Sequence, residues 1–143
     1  MNPTPSRFNK ERWDYGKAGQ TEILSFLESY LGEQITETTA FYDTMDGKTK
    51  TWDLEVKTRT PKYNWDHPLI QQEGWLIPCC KVETARATKR PTVFFYFWKA
   101  DKSIWKLDYS EAAFADLKPV IPPWHKEQQR HYYVPFKRWT RIR

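Results

Sequence analysis

Three residues with ionisable side chains, Asp53, Glu55 and Lys57, alternate with three apolar ones, Trp52, Leu54 and Val56. Alternation of this kind marks a strand with one buried and one polar face. Glu55 and Lys57 then leave the sheet on the same side, roughly 7 Å apart. Asp43 lies upstream, on what reads as the preceding arm of a hairpin, from which its carboxylate can approach that of Glu55. Two carboxylates in one small volume repel, and a hard divalent cation relieves that repulsion. Mg²⁺ takes one or two carboxylates and keeps several waters. Such an ion polarises a phosphate oxygen and lowers the pKa of a bound water, while a neighbouring ammonium orients the hydroxide or stabilises the charge that develops at phosphorus. The chemistry in view is hydrolysis of a phosphodiester.

An acid-x-Lys triplet is weak evidence by itself, and another, Asp46-Gly47-Lys48, falls on the expected hairpin turn. What distinguishes Glu55-Val56-Lys57 is its place on a strand with an apolar reverse face and an acid upstream. A plain cross-strand ion-pair face is the competing account. Asp53 shares the face of Glu55 and Lys57, so it stands as an alternative to Asp43 for the first metal-binding acid. Asp43 is preferred because an acid from a separate strand spreads the ligands around an ion.

The elements that must position these groups follow from periodicity. Ile23, Phe26, Leu27, Tyr30 and Leu31 form an i, i+3, i+4, i+7, i+8 stripe, which predicts a helix over 18–31 stopped by Gly32. Glu22 flanks that stripe. Residues 36–44 read as a strand, Asp46-Gly47 as a hairpin turn, and 49–58 as the second arm. Residues 60–74 read as a long surface excursion, 75–77 as a short apolar segment closed by Pro78, and 79–89 as a short helix. Thr92–Trp98 is a continuous apolar run suited to a strand covered on both faces. Residues 104–109 complete a second hairpin, and Ser110 caps a helix over 111–117. Residues 132–136 read as a last strand at an edge, because Pro135 has no N–H to donate.

The chain has 143 residues, 17% aromatic, with a formal net charge of +5. That length suggests one domain, expected over 16–143 with a basic aromatic tail, after a loosely packed leader at 1–15. The aromatic content argues against intrinsic disorder. The longest strongly apolar run, Val93–Trp98, falls well short of a membrane span, and the N-terminus carries no secretory signal pattern. Adjacent Cys79 and Cys80 fit a reducing interior, expected to be cytoplasmic, or indifference to redox state. Basic residues gather at Arg86, Lys89 and Arg90 and again near Arg138, interleaved in the second case with aromatics, and nucleic acid is the natural partner of such a surface. Trp65, Trp75, Trp124 and Trp139 read as core or loop anchors before stacking platforms, and His67, His125 and His131 as loop or surface residues.

Together, a helix bearing an acid, a strand ending Tyr42-Asp43, the Asp46-Gly47 turn and the strand Leu54-Glu55-Val56-Lys57-Thr58-Arg59 resemble the PD-(D/E)XK nuclease superfamily, in particular its small phage-associated members. The resemblance spans about residues 18–136 and rests specifically on the Asp and the Glu-x-Lys. It implies an α/β fold with a central mixed sheet flanked by helices, a restriction-endonuclease-like αβββαβ core. It implies a Mg²⁺- or Mn²⁺-dependent nuclease acting on DNA, with Asp43 and Glu55 as metal ligands, Lys57 as the catalytic lysine and Glu22 as a helix-borne acid near the site. For Glu22, an acid complementing the helix dipole is the alternative. Lys81 matches a basic position near such sites. Arg59 and Lys62 follow the catalytic strand as phosphate contacts, with Arg86, Lys89, Arg90 and Arg138 gripping the backbone. A non-catalytic nucleic-acid-binding or assembly protein on the same scaffold is the alternative reading. A junction resolvase is a second, and it requires a homodimer to make paired cuts.

Overall fold

A computed structural model describes residues 23–37, 47–59, 64–123 and 128–143. Glu22, Asp43, Asp46, Lys62, Trp124 and His125 lie outside the described residues. The first helix, α1, covers residues 23–31 of the described chain. Its stripe is partly used as the spacing predicts. Ile23 and Leu27 are fully buried, whereas Tyr30 at the far end stays exposed. Gly32 ends the helix at φ +71°, and its N–H closes the last turn on the Glu28 carbonyl at 2.9 Å.

Three short-to-medium strands follow as an antiparallel meander: β1 (Thr36–Glu37), β2 (Gly47–Lys48) and β3 (Asp53–Arg59). The chain then crosses through α2 (Pro68–Glu73), β4 (Trp75–Pro78) and α3 (Cys79–Ala87) before β5 (Thr92–Trp98) lies parallel to β3. β6 (Ser103–Asp108) pairs antiparallel with β5. After α4 (Glu111–Phe114), β7 (His131–Val134) pairs with β4, and β8 (Thr140–Arg141) pairs with β6. The main sheet therefore runs β1-β2-β3-β5-β6-β8, and β4-β7 is a separate two-stranded ribbon. The class is α/β with a mixed sheet.

All seven residues of β5 are buried, and the two faces explain why. Val93, Phe95 and Phe97 join Leu54, Val56 and Ile104 against α1. Phe94, Tyr96 and Trp98 turn the other way, onto Val82 and Ala85 of α3 and Trp75, Ile77 and Val134 of the ribbon. Trp75 is the hub of that second layer, with ring centroids 5.0 Å from Trp98, 5.2 Å from Trp139 and 5.3 Å from Trp105. The Tyr96 hydroxyl ties the layers by donating to the Leu76 carbonyl at 2.5 Å. No helix among the described residues is long and apolar enough to cross a membrane.

Several expectations change. The tight turn before β3 is not at Asp46-Gly47. Gly47 lies in β2, and the turn falls at Thr49–Trp52, closed by Thr49 N–H donating to the Trp52 carbonyl at 2.8 Å. The Thr49 hydroxyl holds it by accepting from the N–H groups of Trp52 (2.8 Å) and Thr51 (3.2 Å). Gly47 serves close approach instead: a Cβ there would meet Ile35 Cγ2 at 3.2 Å. The excursion over 60–74 contains α2, capped by His67 Nδ1 accepting from Leu69 N–H at 3.2 Å. The strand at 131–134 pairs with β4 in the separate two-stranded ribbon, where each strand is an edge, as expected of a strand followed by Pro135. The stretch after Pro135 is no tail: β8 forms the main-sheet edge, and Ile142 N–H donates to the Ile104 carbonyl at 2.8 Å. The helix after Ser110 is also shorter than expected, ending at Phe114, although the Ser110 hydroxyl caps it by accepting from Ala113 N–H at 3.1 Å.

Candidate active site on strand β3

β3 lies between β2 and β5, an interior position. Its parallel register against β5 sets Asp53 beside Thr92, Glu55 beside Phe94, Lys57 beside Tyr96 and Arg59 beside Trp98. Neighbours in register share a face, so these four polar residues project toward α3 and the ribbon, opposite α1. A row of polar groups here is not dictated by the core, because Phe94, Tyr96 and Trp98 already fill the same layer from the next strand.

The row divides by function. Asp53 is buried, at 4% exposure, and Arg90 fastens it. Arg90 Nε donates to Asp53 Oδ1 at 2.9 Å, and its Nη2 donates to the carbonyls of Thr49 (2.6 Å) and Trp52 (3.1 Å). One guanidinium therefore clamps the turn before β3 to the loop before β5. An Asp53 oxygen committed to that clamp is poorly placed to serve an ion shared with Glu55.

Glu55 sits in the middle of the strand, with only 13% of its side chain exposed, and its Oε2 lies 3.2 Å from Lys81 Nζ. Lys81 is the third residue of α3, which begins directly after β4. The chain segment that covers the sheet thus delivers a cation to the one central carboxylate of β3. Lys57 follows on the same face, half-buried.

At the end of the row, Arg59 reaches a half-open cavity of about 140 Å³. Trp75, Tyr96 and Trp98 supply aromatic walls, and Glu73 and Tyr133 are polar neighbours. Burial pushes the Tyr96 phenol up to about 12, against the pull of Arg59 and the Leu76 carbonyl. Burial and the Glu73 carboxylate likewise raise Tyr133, with Arg59 opposing. No motif announced this cavity. The one sequence signal for it is the alternation of β5, which puts Tyr96 and Trp98 on the face of Lys57 and Arg59.

The outer basic residues are distributed unevenly. Arg86 Nε pairs with Glu111 at 3.1 Å, and Arg138 grips Asp116 with two bonds of 2.6 and 2.9 Å while donating to the Ala113 carbonyl at 2.7 Å. Lys89 is exposed on the loop after α3. Trp75 and Trp139 are buried, and Trp65 is anchored through its Nε1 donating to Asp101 Oδ2 at 2.6 Å. His131 departs from the surface role expected of it: it is 4% exposed, with Nδ1 2.8 Å from the Gln129 carbonyl.

Among the described residues, no three His, Cys, Asp or Glu side chains come together as a metal site. Glu55 is a hard oxygen donor of the type that Mg²⁺ or Mn²⁺ takes, and those ions complete their shells with water. Asp43 and Glu22, the other expected acids, lie outside the described residues. No protein-family model, no curated protein and no solved structure matches the chain.

Proposed function

We propose that the protein is a metal-dependent nuclease of the PD-(D/E)XK type that hydrolyses phosphodiester bonds of DNA, with Asp43 and Glu55 holding Mg²⁺ or Mn²⁺. The observation that carries this reading is Glu55: a mostly buried carboxylate at the centre of an interior strand, with Lys57 on its face and Lys81 brought to 3.2 Å from the covering helix. The element order supports it. A helix, a three-strand antiparallel meander and then, after α2 and β4, a covering helix and a strand parallel to the third strand are compatible with an αβββαβ core that carries an insertion, with the Glu-x-Lys on the third strand.

Mg²⁺ or Mn²⁺, when bound, supplies Lewis acidity toward the phosphate and a water of lowered pKa. Lys81 orients the Glu55 carboxylate. Lys57 steers the attacking hydroxide and offsets the charge that grows on the non-bridging oxygens. Attack on phosphorus forms one P–O bond as the bond to the leaving sugar oxygen breaks, and that oxygen takes up a proton from water. The net charge of +5 supports a DNA partner whose binding weakens steeply with salt.

The test is cleavage of plasmid and branched DNA in Mg²⁺, Mn²⁺ or EDTA by the wild type, Glu55→Ala and Lys57→Ala. Cleavage that requires the metal and falls at least about 100-fold in both variants is expected. Equal background cleavage by all three proteins would sink the reading. The Glu55–Lys81 contact also favours a second reading, in which the pair braces α3 on the sheet of a non-catalytic DNA-binding protein. Salt-sensitive DNA binding without metal-dependent cleavage would select it. Paired cuts at branched substrates, together with a dimer mass in solution, would select a resolvase.

A further inference from the structure

Three of the arginines that the sequence offers to DNA are engaged elsewhere in the fold. Arg86 holds Glu111, Arg90 holds Asp53 and Arg138 holds Asp116. Two lysines outside that set are not so engaged. Lys48 of β2 and Lys50 of the turn before β3 are exposed, and neither makes an ion pair among the described residues. With Gln34, Thr36 and Thr49 they line an open groove of about 480 Å³ whose wall residues are all polar.

The sheet sets this groove beside the Glu55 row. Lys48 pairs with Thr36 on one side and with Asp53 on the other, and residues directly opposite on antiparallel strands share a face. Lys48 therefore projects on the face of Glu55 and Lys57, a diagonal step of roughly 7–8 Å from Glu55. The carboxylate of Asp53, its direct neighbour, is buried and held by Arg90 at 2.9 Å. Glu33 is an acid close to Lys50, and its carboxylate is turned onto Thr51, accepting from the hydroxyl at 2.6 Å and from the N–H at 3.2 Å. Arg90 Nη1 donates to the Lys50 carbonyl at 3.3 Å, which fixes the backbone beneath that lysine. An open polar groove with two ammonium groups, an amide and hydroxyls suits phosphate oxygens, which take charge from lysine and hydrogen bonds from Gln and Thr.

We propose that this groove carries the phosphate backbone of the DNA away from the cut at Glu55, with one phosphate on Lys48 and another on Lys50. The proposal rests on the nuclease reading and deepens it: the phosphate contacts beside the cut belong to β2 and its turn, which no sequence motif marked, and not to Arg86, Arg90 and Arg138.

The experiment measures binding in EDTA, where hydrolysis does not interfere. Fluorescence anisotropy follows a labelled duplex of about 20 base pairs between roughly 50 and 200 mM KCl. The wild type is compared with Lys48→Gln/Lys50→Gln, with Lys48→Arg/Lys50→Arg, and with the charge-matched control Lys102→Gln/Lys118→Gln. All four lysines are exposed, so the variants keep the fold. Each phosphate contact adds about 0.9 to the slope of log affinity against log salt. The groove glutamine pair is expected to flatten that slope by about 2, so that over this range it loses about tenfold less affinity than the wild type. The arginine pair keeps the slope, and the control pair leaves it within about 0.5 of the wild type. An unchanged slope in the groove glutamine pair, a flattened slope in the arginine pair, or a control pair that flattens it as much overturns the proposal. Cleavage in Mg²⁺ is scored separately. Loss of cleavage in Glu55→Ala and Lys57→Ala with an unchanged slope in the groove glutamine pair removes only the phosphate groove. A slope that flattens as expected while the wild type cleaves nothing removes only the nuclease reading.

Discussion

Removing the Arg90 clamp separates the structural acid of β3 from the proposed catalytic one. Arg90→Ala strands the Asp53 carboxylate, which is 4% exposed, and takes a 2.6 Å donor from the Thr49 carbonyl. Breaking one side of a buried charge pair costs about 3–5 kcal/mol. Here the Arg90 side chain is itself 38% exposed, so water follows into its place and the lower figure, about 3 kcal/mol, applies. Asp53→Asn is different. The amide oxygen still accepts from Arg90 Nε, and the guanidinium keeps its carbonyl partners and its contact with solvent, so the cost is about 1 kcal/mol. The two substitutions are therefore expected to differ by about 2 kcal/mol although both fall on the same 2.9 Å contact. Urea unfolding followed by tryptophan fluorescence measures this. With a slope near 2 kcal/mol per molar, Arg90→Ala lowers the midpoint by about 1.5 M and Asp53→Asn by about 0.5 M. Asp53→Asn should also retain DNA cleavage. An Arg90→Ala protein within 1 kcal/mol of the wild type, or Asp53→Asn as the more damaging change, refutes the clamp. Cleavage lost in a stable Asp53→Asn protein would make Asp53 the metal ligand in place of Asp43.

Thr49→Val removes the acceptor for two backbone N–H groups in the turn before β3 and is expected to cost about 1–2 kcal/mol in the same unfolding assay, with Thr49→Ser restoring most of it. Gly74→Ala forces a side chain onto a residue at φ +88° and sets its Cβ 2.8 Å from the Val134 carbonyl oxygen. A loss of about 2–4 kcal/mol is expected, seen as a lowered thermal midpoint. Asp101 is held at about 2: burial opposes its ionisation, but hydrogen bonds from Ser103 and Trp65 outweigh it. Its folded value lies below the unfolded value of about 3.9, so its contribution is complete above pH 4 and disappears as the pH falls through 2. Asp101→Asn should therefore cost stability at pH 7, about 1 kcal/mol once solvent screening of this exposed group is allowed for, and little once the pH is below 2. Equal differences at both pH values would contradict that assignment.

The legible parts of the fold were those written in a local period. β3 announced itself by the alternation of Trp52, Leu54 and Val56 with acids and a lysine. β5 showed its burial on both faces by seven consecutive β-forming residues, and α3 fell within the span its composition suggested. Glu55 and Lys57 share a face for the same reason: side chains two apart on a strand must. The failures have one source as well. Asp46-Gly47 carries the strongest hairpin signal in the chain, yet the turn directly before β3 is held by the Thr49 hydroxyl, and Gly47 lies in β2, where a Cβ would crowd Ile35 Cγ2 at 3.2 Å. The basic residues near the C-terminus read as a tail because nothing in residues 136–143 says that the edge of β6 stands open to receive them.

The sequence by itself determined which residues face together along each strand and helix, since the backbone repeats of two and about 3.6 residues fix that without reference to the rest of the chain. Tertiary structure alone decided the partners. It set β3 beside β5 across 32 intervening residues, gave Lys81 to Glu55 and Arg90 to Asp53, sent β7 to the ribbon, and opened a cavity beside Arg59. Those outcomes depend on which distant segments close their loops around a shared core, and the charged groups take whichever counter-charge that closure brings within reach.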